Sequence, residues 1–277
     1  MPAEAFFLSM GNGRRGQRFC LWHRAGTAPA RGAVLYVHPF AEEMNKSRRM
    51  AALQARALAQ DGYGVLQIDL LGCGDSSDDF GDATWQEWID DIVEACTWLR
   101  QREGAPLWLW GLRAGCLLAA DAARQLDAPC NFVFWQPATS GKVLLQQFLR
   151  LKVASDMLAG KSKGVMDELR RHLANGAPVD VAGYTLSAGL ADGFERATLR
   201  PPLPTAGERV EWIELSGSAD AGLAPASAQS VQGWQEAGFA VRSQVVAGPA
   251  FWQTTEIEKA PELIAATLSA LAETVAA

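Results

Sequence analysis

The sequence predicts an α/β protein: a doubly wound, mostly parallel sheet interrupted by a helical insertion. Two patterns carry that expectation. Short apolar runs alternate with amphipathic helical segments along the first half of the chain, which is the signature of strand–helix–strand crossovers. The alternation stops near residue 138, gives way to helical sequence, and resumes near 207. The predicted core is therefore 1–137 with 207–277, and 138–206 is the predicted cap insertion. A chain of 277 residues, 49% of them apolar, is long enough to bury such a core.

The elements follow in order. Phe6-Phe7-Leu8 and Arg18–Arg24 read as two short strands around a turn containing Gly11, Asn12, Gly13 and Gly16. Ala33–His38 is a continuous apolar strand between Gly32 and Pro39, as suits a sheet covered on both faces. A helix is predicted over 45–60, a strand over 64–70, and a helix over 83–102, whose stripe includes Trp88, Ile89, Ile92, Cys96 and Leu99. Then come strand 106–110, helix 113–126 and strand 131–135. After the insertion, strands 210–215 and 240–246 bracket a helix near 226–237, and a last helix covers 257–275.

Composition excludes several classes. The net charge of −6 leaves no basic excess for bulk nucleic-acid binding. No apolar run approaches the roughly 20 residues that span a bilayer, so no transmembrane segment is expected. The opening residues lack the pattern of a secretory signal. Five scattered cysteines without a CxxC pair suit reduced thiols and a cytoplasmic location, with neither metal site nor cofactor expected. Only three histidines are present, His23, His38 and His172, although most hydrolytic mechanisms need one.

In an open α/β sheet, ligands bind outside the carboxyl ends of the strands. The loops expected there are His38–Asn45, Asp69–Ser76, Gly111–Gly115, Ser216–Asp220 and Gly248–Trp252. This set resembles the α/β-hydrolase superfamily over nearly the whole chain. The nucleophile elbow of that superfamily, G-x-S-x-G, falls on Gly111, Arg113 and Gly115. Its loop pattern D-x-x-G-x-G-x-S falls on Asp69, Gly72, Gly74 and Ser76. The resemblance implies an acid at Asp220 and a histidine near Ala250. The stretches HPFAEEMNKSRR, DLLGCGDS, WGLRAG, FWQP and GPAFWQTTEI are similar to one subgroup, the second hydrolase family associated with the exosortase A system. That resemblance implies a setting among PEP-CTERM protein sorting and exopolysaccharide production, with a protein partner there, rather than a reaction.

Two of the three triad roles then lack their chemistry. A guanidinium stays protonated near neutral pH and does not attack a carbonyl, and no imidazole follows the last strand. The expected protein is a pseudoenzyme, an accessory or binding protein for an anionic or acyl ligand. The alternative is a hydrolase or acyltransferase that uses other groups, with Cys73 and His38 as the substitute pair. Arg113 either braces its turn or holds an anion at the helix N-terminus. The expected ligand-binding residues are Arg113, His38, Phe40, Arg48, Arg49, Asp220, Phe251 and Trp252. If Arg113 is paired within the protein, Asp220 or Glu42 is the expected carboxylate. Asn45–Arg49, read as the start of the first helix, puts positive charge where the helix dipole disfavours it. That charge is met either by Glu42, Glu43 or Asp75 or by an anionic ligand. Trp135, Phe251 and Trp252 either wall a pocket at the same edge or belong to the core. Cys116 is expected in the core, His172 on a solvated basic face, and His23 on the surface or in the core.

Overall fold

The computed structural model describes residues 2–11, 16–158, 164–203, 207–218 and 221–272. Ten strands and eight α-helices alternate along these residues. In chain order they are β1 Glu4–Ser9, β2 Gln17–His23, β3 Gly32–Val37, α1 Glu42–Gln60, β4 Tyr63–Ile68, α2 Trp85–Arg102, β5 Leu107–Leu112, α3 Ala114–Ala123 and β6 Asn131–Trp135. The chain continues through α4 Gly141–Leu158, α5 Val165–Ala174, β7 Val179–Val181, β8 Tyr184–Leu186 and α6 Ala188–Arg196. It closes with β9 Arg209–Ser216, α7 Pro225–Glu236, β10 Ala240–Ala247 and α8 Pro261–Ala272.

Eight strands form one sheet in the order β1-β2-β4-β3-β5-β6-β9-β10. β1 and β2 form an antiparallel hairpin, β2 joins β4 antiparallel, and the six strands from β4 to β10 run parallel. Hydropathy sets this order. Every residue of β3 and β5 is buried, as central strands covered on both faces require, whereas β1 and β10 are largely open and lie at the edges.

Alternate residues of one strand feed two cores. Phe132 and Phe134 of β6 enter the layer under α2, α3 and α7, while Val133 and Trp135 enter the layer under α1 and α8. Trp135 Nε1 donates to Thr267 Oγ1 at 2.9 Å, which satisfies a polar atom inside the second layer. α2 starts from a capping box, in which Thr84 Oγ1 accepts from Glu87 N and Glu87 Oε2 accepts from Thr84 N.

Two features depart from the sequence expectation. α1 begins at Glu42, three residues before the expected Asn45, so its first turn carries Glu42 and Glu43. The basic cluster 46–49 falls one turn further in, and the helix dipole is complemented rather than opposed. The 138–206 stretch is also not helical throughout, because β7 and β8 form an antiparallel hairpin between α5 and α6. Its contacts reach loops at the carboxyl edge of the sheet. Phe148 and Phe194 pack on Phe40 after β3, and Tyr184 packs on Phe80 after β4. Among the described residues, no helix is long and apolar enough to cross a membrane.

Candidate functional site

β5 runs into α3 through a turn that only certain residues permit. A Cβ on Gly111 would stand 2.6 Å from Cys116 N, and one on Gly115 would stand 2.1 Å from Val37 O. Between them Arg113 adopts φ 55° and ψ −114°, a conformation that costs an L-residue of order 1–3 kcal/mol. Backbone bonds from Arg113 N to Trp135 O (3.1 Å) and from Ala138 N to Arg113 O (3.3 Å) hold it there. On the neighbouring strand β3, the turn into α1 repeats the geometry: Ala41 has φ 49° and ψ −125°. Two strained helix starts thus stand side by side at the carboxyl edge.

Arg113 is paired within the protein. Its Nε donates to Glu43 Oε1 at 3.2 Å, and its guanidinium lies over the Trp252 ring, 5.7 Å from the centroid. The two side chains are 13% and 12% exposed. Burial pushes the Glu43 carboxyl up to about 7, against the pull of the Arg113 charge. Oε2 of Glu43 and Oε2 of Glu42 are buried and have no hydrogen-bond partner among the described residues. Glu42 and Glu43 are among the residues that line a cleft of about 280 Å³ between α1, α4 and the turn after β10. Phe40, Leu144, Phe148 and Leu151 give it an apolar side, and Lys46, Gln147, Trp252 and Gln253 complete the lining.

Glu43 therefore takes the place expected for Asp220 or Glu42. Asp220 lies outside the described residues. Sequence reading passed over Glu43 as a site residue. The available signal was a pair of acids directly after the β3 loop, where a helix N-terminus favours them.

Arg48 and Arg49 do not join Arg113. Arg48 pairs with Asp69 Oδ2 at 3.1 Å, in the loop after β4, and Arg49 is exposed on the outside of α1. Phe40 is a buried hub touching Phe80, Trp88, Phe148 and Phe194, and it reaches the cleft with only part of its ring surface. Phe251 is buried against Trp135 and Trp252. Ala250, at the turn after β10, accepts a bond from Gln253 N at 2.8 Å.

His38 and Cys73 are both buried, and the histidine has its own partners. Its Nδ1 donates to Pro39 O at 2.8 Å and its Nε2 accepts from Leu70 N at 3.3 Å, which assigns the neutral tautomer. Burial holds the imidazole below its ordinary pKa. Burial pushes the Cys73 thiol far above its own. A thiolate is the reactive form of cysteine, so this environment opposes the nucleophilic role. The loop around Cys73 is a structural knot. Ser76 Oγ accepts from Phe19 N and donates to Asp69 O, and a Cβ on Gly74 would meet Asp69 Oδ2 at 1.9 Å. Cys116 is buried in the core, His23 is buried with Nε2 3.0 Å from Gln67 Oε1, and His172 is exposed in the last turn of α5. Among the described residues, no cluster of three His, Cys, Asp or Glu side chains is arranged to hold a metal ion.

A mostly parallel sheet with a strained strand-to-helix turn at its carboxyl edge defines an α/β-hydrolase fold. The Hydrolase_4 family, described as serine aminopeptidase S33, matches residues 28–174, and the chain belongs to that family. Protein ABHD12B of Homo sapiens is 28% identical over 157 residues. Those residues are 55% of this chain and 42% of the human protein, so the chain spans less than half of that relative's length. Among solved structures, Est1E from Butyrivibrio proteoclasticus with ferulic acid bound has a TM-score of 0.64 at 14% identity, covering 96% of both chains. A monoglyceride lipase from Saccharomyces cerevisiae with a substrate analogue has a TM-score of 0.62 at 14% identity, covering 98% of this chain and 96% of the other. At such identities these structures speak for the fold alone.

Proposed function

We propose that this chain is a binding member of its hydrolase family, a pseudoenzyme that serves the exosortase A and exopolysaccharide setting as an accessory protein. The observation that carries the reading is the Arg113–Glu43 pair at the elbow. It fills the nucleophile position with a permanent charge that already has its carboxylate. Ala250 stands where the family pattern puts a histidine, so a serine at the elbow would have no route for its proton. The exosortase setting rests on the similarity of the loop sequences. A cytoplasmic location is in keeping with five buried, unbridged cysteines.

In this reading 138–206 acts as a cap, and the cleft beneath α4 receives the ligand. The ligand's acyl or other apolar part lies against Phe40, Leu144 and Phe148. Because Glu43 already balances Arg113, the anion-holding role of Arg113 loses its main physical motive. The Cys73–His38 alternative has no support from the burial of either group.

The test is chemical. The purified full chain should not be labelled by a fluorophosphonate probe and should not turn over p-nitrophenyl esters. Arg113→Ser alone should leave both results unchanged. Strong labelling of the unmodified protein would sink the proposal.

A further inference from the structure

One edge of the sheet is open. β10 is the last strand in the sheet order, and its register with β9 runs unbroken from Ala240 to Ala247. Ala240 N donates to Glu208 O at 2.9 Å, and Gly248 N donates to Ser216 O at 3.0 Å. In a parallel strand both backbone groups of a residue reach the same neighbour, and successive residues reach opposite neighbours. The even-numbered residues of β10 therefore face β9. Val241, Ser243, Val245 and Ala247 direct N–H and C=O to the other side, where no strand stands among the described residues. Ser243 and Gln244, in the middle of the strand, are exposed. Open edges are usually guarded by Lys, Pro or a bulge, and β10 has none of these.

The flanks of this edge are poor in charge. α7 and α8 cover β10 on opposite faces of the sheet. Val231 and Trp234 of α7 share a layer with Val241, and Leu263 and Ala270 of α8 share a layer with Val246. Across α7, β10 and α8 the charged side chains are Glu236, Arg242 and Glu262, although 20% of the whole chain is charged. Arg242 is held by Glu211 of β9. Depletion of charge distinguishes the centre of a protein–protein interface from ordinary surface. The opposite edge differs: β1 is shorter and opens with Glu4, which meets Arg102 at 3.5 Å.

We propose that two copies of this chain join through β10, edge to edge and antiparallel, into one continuous sheet with a two-fold axis beside Gln244. What selects a second copy is the fit of the strand to itself. In this register Val241 pairs with Ala247 of the partner subunit, and Ser243 pairs with Val245 of the partner subunit. Each outward N–H and C=O of these residues then meets its complement. Arg242 lies opposite Val246 of the partner subunit, so no like charges face each other. Gln244 lies opposite Gln244 of the partner subunit, where two amides supply matched donors and acceptors. An acidic or basic partner would find little opposing charge along this edge. None of the cleft-lining residues belongs to α7, β10 or α8, so the dimer does not depend on what the cleft binds.

The experiment is sedimentation of the full chain at micromolar concentration. The unmodified protein should sediment as a species of twice the chain mass. Gln244→Glu and Gln244→Lys each put like charges on the axis, and each should raise the dimer dissociation constant at least about tenfold. An equal mixture of the two variants should restore the dimer, because unlike charges then meet. Thermal melts confirm that each variant is folded. Phe7→Glu, on the exposed side of β1, should leave the dimer unchanged. A monomeric unmodified protein would overturn the proposal. So would a dimer that survives both changes at Gln244, a mixture of the two folded variants that stays monomeric, or a dimer lost in folded Phe7→Glu.

Discussion

Two buried arginine–carboxylate pairs stand in different parts of this molecule, and they are built differently. Arg18 of β2 reaches Asp91 of α2 at 2.7 Å, with side chains 2% and 1% exposed. Asp91 Oδ2 also accepts from Leu71 N at 2.8 Å, so one carboxylate ties the edge hairpin, the loop after β4 and a core helix together. Arg113–Glu43 is longer and more open, and it sits between two strained helix starts beside a cleft. The first pair braces the fold. The second puts Glu43 in the wall of a cleft.

The largest effect should come from breaking the brace. Arg18→Ala removes the buried cation that faces Asp91 and should cost about 3–5 kcal/mol, read as a lower urea midpoint. A loss no greater than that of an exposed arginine would erase the contrast between the two pairs.

The next effect is pH-dependent. Glu43 in the unfolded chain ionises near its ordinary 4.5, whereas in the folded chain it keeps its proton to about 7. Between those values the folded state holds more protons, so stability falls as pH rises through the window and levels off above it. Each pH step of one within that window is worth roughly 1.4 kcal/mol. Relative to Glu43→Gln, the wild-type protein should therefore lose up to about 3 kcal/mol between pH 4.5 and 7. Parallel melting curves across that window would show that Glu43 is not raised.

Arg113→Ala should have the smallest effect, about 2 kcal/mol, the scale of one hydrogen bond to a charged group. The reason is specific to Glu43: its carboxyl is already poised near neutrality and can take up a proton when its partner leaves. The titration of Glu43, followed by NMR, should move further up in this variant. A destabilisation matching that of Arg18→Ala would mean that both pairs are braces.

Much of the fold was legible in advance, because the signals are local. Buried β-strands such as Ala33–Val37 are continuous apolar runs, and the glycines at 111 and 115 mark a turn that no larger residue tolerates. The residue at the middle of that turn, Arg113, is likewise read directly from the sequence. The hairpin β7–β8 was missed because three-residue strands carry too little period-2 signal to stand out among helices.

The candidate site was harder to read for a different reason. Chain order brings His38, Arg48, Phe40 and Phe251 toward the carboxyl edge, and tertiary packing sets the partner that each one meets there. A buried polar group takes whichever partner the fold brings within about 3 Å, and sequence does not encode that distance. Sequence by itself determined the sheet, the elbow and the identities of the groups at its edge. Only the tertiary structure decided that Arg113 meets Glu43, because residues 70 positions apart become neighbours when β3 and β5 pair and α1 starts at Glu42.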